Sequence, residues 1–154
     1  MCILDQHHYH QEYPKVLLTL KGHKDRVNGV RWLTKDLLVS VSADKSFIVW
    51  GYDGKDFRIV QHNKDAHPEA INYLTVLNVD EKEIYFLSMC LGGTLKMWMK
   101  NGETFEQKGE ILFGKNLQEA MSLVTIGKKH LLLVVGGYDS NVHCYTTLRG
   151  NGDF

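Results

Sequence analysis

The stretch SVSADKSFIVW, residues 40–50, carries the pattern from which the fold can be read. A serine is followed by a tight polar turn, by strand-forming residues and by a large aromatic side chain. The pattern recurs in SMCLGGTLKMW (residues 88–98) and in VGGYDSNVHCY (residues 135–145). The closing aromatics stand at positions 50, 98 and 145, so the repeat is 48 and then 47 residues long. Such a period predicts one structural unit repeated three times.

Two further strand-like blocks precede each copy of the pattern. The nearer block is VNGVRWL (27–33), INYLTVL (71–77) and MSLVTIG (121–127), and the farther one is LLTLKGH (17–23), RIVQHNKDAH (58–67) and GEILFGKNL (109–117). The best helical stretch, residues 116–123, is too short to be convincing. We therefore expect an all-β fold of three four-stranded antiparallel blades forming an incomplete β-propeller, with its first strand at residues 16–20. The partial propeller is expected to span residues 13–154, with its units at about 16–50, 57–98 and 105–145. A flexible N-terminal segment, residues 1–12, is expected to precede it.

The first unit resembles a WD repeat in KGHKDRVNGVRW (21–32) and LLVSVSADKSFIVW (37–50). In WD repeats a histidine, a serine, an aspartate and a tryptophan form a buried hydrogen-bonded relay that holds a loop to the third strand. The resemblance assigns this structural relay to His23, Ser40, Asp44 and Trp50. A buried carboxylate needs such partners to offset its loss of hydration.

The other two units depart from this pattern. The second keeps His67, Ser88 and Trp98 but has Gly92 in place of the aspartate. The third keeps Asp139 but has Leu117, Val135 and Tyr145 at the other three positions. We expect both units to be locally softer than the first and to depend more on apolar packing. The side chains expected to supply it are Phe86, Leu87, Leu123, Val124, Leu132 and Val134.

A narrower resemblance is carried by GHKDRVNGVRWL (22–33) and GGYDSNVHCY (136–145), which look like the N-terminal propeller of the second-subunit family of the Elongator complex. That family has two seven-bladed propellers and forms a non-catalytic platform in a complex that modifies wobble uridines of transfer RNA. The resemblance implies a scaffold without cofactor or metal, bound to other Elongator subunits in the cytoplasm or the nucleus. A WD-repeat adaptor of another complex remains the alternative within the same class.

Three blades do not close a ring, because propellers begin at about four. Open sheet edges invite pairing with another chain. The sequence therefore predicts either a fragment of a longer protein, which is favoured, or a split protein that assembles with copies or a partner.

The sequence offers three candidate chemical sites, and each has a simpler explanation. His23, Ser40 and Asp44 could be a hydrolase triad, but the relay explains the same residues, and no glycine-rich nucleophile elbow surrounds the serine. His7, His8 and His10, near Cys2, could hold a metal weakly, but a solvated terminal segment explains them better. The glycine pairs at 92–93 and 136–137 could suggest phosphate-binding loops. Neither pair precedes a lysine–serine pair or a helix, so both pairs are predicted to be turns between strands.

Composition limits the class of protein. Eighteen basic residues balance eighteen acidic ones, which gives no support for tight nonspecific nucleic-acid binding. Three dispersed cysteines do not form a disulfide framework, and Cys90 and Cys144 are expected to be small buried hydrophobes. No signal peptide or membrane span is apparent, so we expect a soluble intracellular protein.

The residues after the glycine–histidine turn and before the turn aspartate commonly line the narrower face of WD propellers. By alignment the candidate partner-binding residues are Arg26, Asn28, Asn72, Leu91, Ser122 and Tyr138. Arginine and tyrosine are frequent interface anchors. The basic residues around the first loop could add a weak RNA contact: Lys21, Lys24, Arg26 and Arg31.

Overall fold

The structure is a computed structural model that describes residues 13–114 and 118–150, and every regular element in these ranges is a β-strand. Eleven strands are described: β1 Val27–Trp32, β2 Leu37–Ser42, β3 Phe47–Tyr52, β4 Phe57–Asn63, β5 Ile71–Asn78, β6 Ile84–Cys90, β7 Thr94–Asn101, β8 Thr104–Leu112, β9 Gln118–Ile126, β10 His130–Gly137 and β11 Val142–Leu148.

Each strand pairs antiparallel with the next one along the chain within one of three sheets. Blade 1 consists of β1–β4 and blade 2 of β5–β8, and blade 3 has three strands, β9–β11, within the described residues. The short turns between consecutive strands leave antiparallel pairing as the only nearby arrangement. The expected all-β, unclosed propeller is confirmed.

Each repeat unit read from the sequence begins one strand earlier than the corresponding sheet. The strand expected at residues 16–20 is wrong, because no strand is described before β1 and the side chains of Val16 and Leu17 are exposed. β4, which the repeat placed at the start of the second unit, pairs with β3 and completes blade 1. β8 completes blade 2 in the same way. Residues 1–12, expected to be flexible, lie outside the described residues.

Two apolar cores hold the blades together. Between blades 1 and 2, the ring of Phe47 packs edge-on against Phe86 and Trp98, with centroid distances of 5.0 and 4.7 Å. Between blades 2 and 3, blade 2 contributes Tyr85, Leu87, Met89, Leu95 and Met97, and blade 3 contributes Leu123, Leu131, Leu133 and Val135. β6 is buried along its whole length because its two faces serve the two cores.

Strand alternation sorts the expected packing residues of blade 3 onto two faces. Leu123 faces blade 2 and is buried. Val124, Leu132 and Val134 point the other way, and Val124 is 47% exposed, so the prediction that it packs in the core is wrong. Successive side chains of a strand face opposite sides of the sheet, so neighbours in sequence cannot share one core.

Each inner strand carries a β-bulge near its start. The register of pairing shifts around Asn28 in β1, around Asn72 in β5 and around position 119 in β9. The pairs Val30–Ser40, Leu74–Ser88 and Met121–Val135 then occupy equivalent places. Met121 therefore matches Val30 in the structure, whereas the alignment by sequence matched it with Val27, three residues earlier. As a result, Ser122 is not the equivalent of Asn28 and Asn72.

Candidate functional site: the loop end of the blades

The relay residues of blade 1 meet between the loop before β1 and the turn between β2 and β3. His23 Nε2 lies 2.7 Å from Ser40 Oγ, and Trp50 Nε1 donates to the same oxygen at 2.8 Å. Ser40 is buried. Its hydroxyl accepts from the indole and donates to the imidazole, so both of its directions are used.

Asp44 closes the other side of the relay. His23 Nδ1 lies 2.9 Å from Ser46 Oγ and 3.2 Å from Asp44 Oδ2. The carboxylate also accepts from Lys24 N at 2.9 Å, from Ser46 N at 2.9 Å and from Ser46 Oγ at 2.6 Å. Burial acts to raise the pKa of Asp44, but these hydrogen bonds outweigh it and hold the pKa well below its usual range. Asp44 thereby ties the loop to the turn.

The connections His23–Ser40 and His23–Asp44 are those of a hydrolytic triad, but the surroundings do not suit catalysis. The side chains of His23 and Asp44 are 5% and 12% exposed, and Ser40 is 4% exposed. A nucleophile must reach a substrate carbonyl, whereas the Ser40 hydroxyl points into the blade between Trp50 and His23. These hydrogen bonds hold the loop before β1 to the turn between β2 and β3.

Blade 2 repeats half of this relay. His67 Nε2 lies 2.7 Å from Ser88 Oγ, and Trp98 Nε1 donates to that oxygen at 2.9 Å. Gly92 supplies no carboxylate, and among the described residues His67 Nδ1 is buried without a hydrogen-bond partner. Burial, with a smaller contribution from the charge of Lys96, lowers the pKa of His67 to about 4. His67 is therefore neutral at physiological pH.

Within the part of the chain that the structure describes, blade 3 shows no relay of this kind. Asp139 Oδ2 lies 2.6 Å from His143 Nε2 in a pair that is 40% exposed on both sides. That hydrogen bond is the main cause of the lowered pKa of Asp139. Val135 is buried in the core at the place of the serine. Leu117 lies outside the described residues.

The turns that follow β2, β6 and β10 share one strained position. Lys45, Gly93 and Ser140 have φ angles of 72°, 80° and 63°. Residues other than glycine seldom adopt this left-handed region. A β-carbon on Gly93 would lie 2.2 Å from the carbonyl oxygen of Gly114, so only glycine fits there.

A polar row crosses the inner strands at the same end. Arg26 Nε donates to Asn28 Oδ1 at 2.8 Å, and Asn28 Nδ2 donates to Asn72 Oδ1 and to Ile71 O, both at 3.0 Å. The row links blade 1 to blade 2 and orients the exposed guanidinium of Arg26. Below it, an open cavity of about 260 Å³ is lined by β1, β5 and β9, with Arg31 on its wall. The sequence placed both asparagines at one repeat position, but their mutual hydrogen bond depends on the two bulges.

The other candidate residues are distributed unevenly. Leu91 and Tyr138 are exposed, at 47% and 68%, in turns at the same end as Arg26. Ser122 lies within β9, pairs with Val134 and faces away from blade 2. Lys21 and Lys24 are exposed on the loop that carries His23, whereas Arg31 lies farther along β1 and donates to Val30 O at 2.8 Å. Arg26 stands between them, immediately before β1.

The remaining expectations concern cysteines, metals and membranes. Cys90 is buried, as expected, but Cys144 is exposed, because it lies on the face of blade 3 that is turned away from blade 2. In residues 13–114 and 118–150 no cluster of three histidine, cysteine, aspartate or glutamate residues could hold a metal. Cys2, His7, His8 and His10 fall outside those ranges. The same ranges contain no helix with the length and hydropathy of a membrane span.

Similarity to known proteins agrees with this geometry. Residues 14–51, which include the whole relay of blade 1, match the family WD domain, G-beta repeat. The chain is 29% identical to Elongator complex protein 2 of Dictyostelium discoideum over 85% of its length, and 28% identical to that of Danio rerio over 92%. It covers 18% of each of these relatives, so it spans about a fifth of their length. Residues 14–51 are thus a WD repeat, and the relay, the stacked antiparallel sheets and these similarities make the chain similar to WD-repeat proteins.

Proposed function

We propose that this chain is part of a non-catalytic, protein-binding propeller in an Elongator-like complex that acts in wobble-uridine modification of transfer RNA. The observation that carries the proposal is the hydrogen-bonded row from Arg26 through Asn28 to Asn72, at the end where Leu91 and Tyr138 are exposed. Similarity to Elongator complex protein 2 supports the choice of complex.

A scaffold role agrees with the state of the polar groups. The histidine, serine and aspartate that could perform hydrolysis are buried and bonded to one another. The cavity beneath the polar row is open, and its wall comes from three strands of three different blades. Binding of a partner across several blades suits this construction, because a propeller presents many loops on one rigid face.

Arg26 is the expected anchor of the docking surface. Its Nε is held by Asn28, so less side-chain entropy is lost when the guanidinium meets a partner. Exposed Leu91 and Tyr138 add apolar area at the same end. Arginine and tyrosine are enriched among the residues that dominate the binding energy of interfaces.

The test is affinity purification of the tagged protein from cells, with the recovered subunits and the wobble-uridine modification of transfer RNA as readouts. Arg26→Ala combined with Tyr138→Ala is expected to reduce recovery of Elongator subunits and to lower modification. The matched control is Lys35→Ala combined with Lys55→Ala, two exposed residues in turns at the opposite end.

Equal recovery with the folded double variant would show that this end is not the docking surface. Recovery of a different set of proteins with the wild type would identify an adaptor of another complex. Loss of transfer-RNA binding with unchanged subunit recovery would assign Arg26 to RNA instead.

A further inference from the structure

The dipeptide asparagine–glycine occurs twice in the part of the chain that the structure describes, at residues 28–29 and 101–102. In such a pair the backbone nitrogen of the glycine can attack the side-chain carbonyl carbon of the asparagine, because glycine has no β-carbon to hinder the approach. Asparagine is one of the thermally labile residues of proteins. Whether the attack takes place depends on the surroundings of the pair, and the structure gives the two pairs opposite surroundings.

Asn28–Gly29 is held tightly in place. Both polar atoms of the Asn28 amide are bonded, since Oδ1 accepts from Arg26 and Nδ2 donates to two acceptors of blade 2. Gly29 lies within β1, where a β-carbon would lie 3.0 Å from Val41 Cγ2 and 3.2 Å from Leu74 Cβ. Attack by the Gly29 nitrogen would break three hydrogen bonds and needs space that the packing does not leave.

Asn101–Gly102 lies in open surroundings. β7 ends at Asn101 and β8 begins at Thr104, so Gly102 and the next residue form a two-residue turn. Asn101 and Gly102 are both exposed, and a β-carbon on Gly102 would meet nothing within 4 Å. The Asn101 amide makes one hydrogen bond among the described residues, from Nδ2 to Oε1 of exposed Glu106 at 2.9 Å. Little therefore opposes ring closure at this turn.

We propose that Asn101 is a site of spontaneous deamidation. The nitrogen of Gly102 forms a bond to Asn101 Cγ and loses its proton, while the bond from Cγ to Nδ2 breaks and Nδ2 leaves as ammonia. The product is a five-membered succinimide ring. Water then opens the ring by adding its hydroxyl to one of the two ring carbonyl carbons and its remaining proton to the ring nitrogen, which gives aspartate or isoaspartate. Nothing is oxidised or reduced, and water is the only co-reactant.

The reaction changes the charge beside the outer contact between blades 1 and 2. The new carboxylate faces Glu106 across the two strands, and like charges at neighbouring cross-strand positions are destabilising. Next to Glu106, Phe105 N donates to Gln61 Oε1 at 2.7 Å, and Gln61 Nε2 donates to Phe105 O at 2.9 Å. These two bonds join β8 to β4, so repulsion at the end of the hairpin loosens this link between the blades.

The first test incubates the purified full-length protein at mildly alkaline pH and follows each pair by tryptic digestion and mass spectrometry. Trypsin cleaves after lysine and arginine, so residues 27–31 and residues 101–108 form separate peptides that each contain one pair. We expect the peptide 101–108 to lose its amide and to separate into two products of equal mass, while the peptide 27–31 stays intact. In urea both pairs should react alike, because neither is then held. Asn101→Gln is the matched control, since its longer side chain does not close a five-membered ring.

Two results would overturn the site. One is equal loss of the amide from both peptides in the folded protein, and the other is an intact peptide 101–108 in the folded protein, whatever happens in urea.

The second test measures hydrogen exchange at the backbone amide of Phe105. Asn101→Asp, which carries the charge of the product, should speed this exchange, and Asn101→Asp combined with Glu106→Gln should reverse most of the change. Exchange at Phe105 that Asn101→Asp leaves unchanged would overturn the proposed loosening of the link between blades.

Discussion

Blades 1 and 2 make the same half of the relay and differ in the other half. The histidine–serine distance is 2.7 Å in both, and the tryptophan–serine distances are 2.8 and 2.9 Å. Asp44 gives His23 Nδ1 and the backbone of Lys24 a common partner, whereas Gly92 leaves His67 Nδ1 without one among the described residues. The tryptophan–serine–histidine arrangement therefore does not require the carboxylate.

In blade 2 the loop before β5 is held by a lysine on β7, the third strand of that blade. Lys96 Nζ donates to the backbone oxygen of Ala66 at 2.7 Å, next to His67. Lys96 stands two residues before Trp98, where blade 1 has buried Ile48. Its positive charge adds to the effect of burial in keeping His67 neutral. Loss of the aspartate is thus accompanied by a lysine that holds the same loop from the third strand.

The largest expected loss of stability distinguishes the turn after β6 in blade 2 from the equivalent turn after β2 in blade 1. Gly93→Ala should destabilise the protein by about 3 kcal/mol or more, since it adds both a clash with Gly114 O and a strained φ. Lys45→Ala is the matched control at the equivalent turn position, where a side chain is already accommodated. Urea denaturation followed by tryptophan fluorescence gives both free energies of unfolding. Equal losses in the two variants would contradict the difference between the turns.

The next largest loss of stability is expected from removing the Asp44 carboxylate of blade 1. Asp44→Ala should cost about 2 kcal/mol, because it leaves the backbone and hydroxyl donors of buried Ser46 without their acceptor and removes one of the two partners of His23 Nδ1. Asp139→Ala in blade 3 should be close to neutral, since its pair with His143 is exposed. Hydrogen exchange should localise the loss to blade 1, and more generally the outer strands of blades 2 and 3 should exchange faster than those of blade 1. Protection lost equally in all three blades would count against a local relay.

A pH dependence of the free energy of unfolding should come from His67. The folded pKa of His67, about 4, is below its ordinary value of 6.5, so the unfolded chain binds the proton first. This contribution is fully present above pH 6.5 and is lost as the pH falls towards 4, by at most about 1.4 kcal/mol per pH unit. His67→Gln should remove that slope from the free energy of unfolding measured between these pH values. A slope unchanged by the substitution would assign it to other groups.

The smallest expected change in stability comes from restoring to blade 2 the half of the relay that it lacks. A β-carbon on Gly92 would lie 3.1 Å from the carboxylate of Glu69, so Gly92→Asp alone places two acidic groups together. Gly92→Asp combined with Glu69→Gln should give His67 Nδ1 a partner and stabilise blade 2 by about 1 kcal/mol. It should also raise the pKa of His67, which an NMR titration would detect. A gain in stability without that rise would mean that the new aspartate does not reach the histidine.

The relay of blade 1 could be predicted because residues 21–32 and 37–50 resemble a WD repeat, although His23 lies 17 residues from Ser40 and 21 residues from Asp44. Ser40, Asp44 and Trp50 lie around one tight turn, and antiparallel pairing of β2 with β3 brings them together without reference to other blades. Gly92, in place of an aspartate, predicted the incomplete relay of blade 2 for the same reason. The compensating bond from Lys96 to Ala66 was not predicted, since it joins a strand to a loop thirty residues away.

The amino-acid sequence alone determined the number of units and most of their strands, because local pairing and turn chemistry act over a few residues, and the resemblance to a WD repeat supplied the relay. Only the tertiary structure decided which face of each strand is covered and how the inner strands align. Residues 16–20 have the composition of a strand, but a strand needs a neighbouring edge, and none is described beside them. Cys144 and Val124 have the composition of core residues, but burial depends on a second sheet on their side of blade 3. Ser122 lies three residues from the position of the two asparagines, because hydrogen bonding between β9 and β10 sets a register that the alignment by sequence did not give.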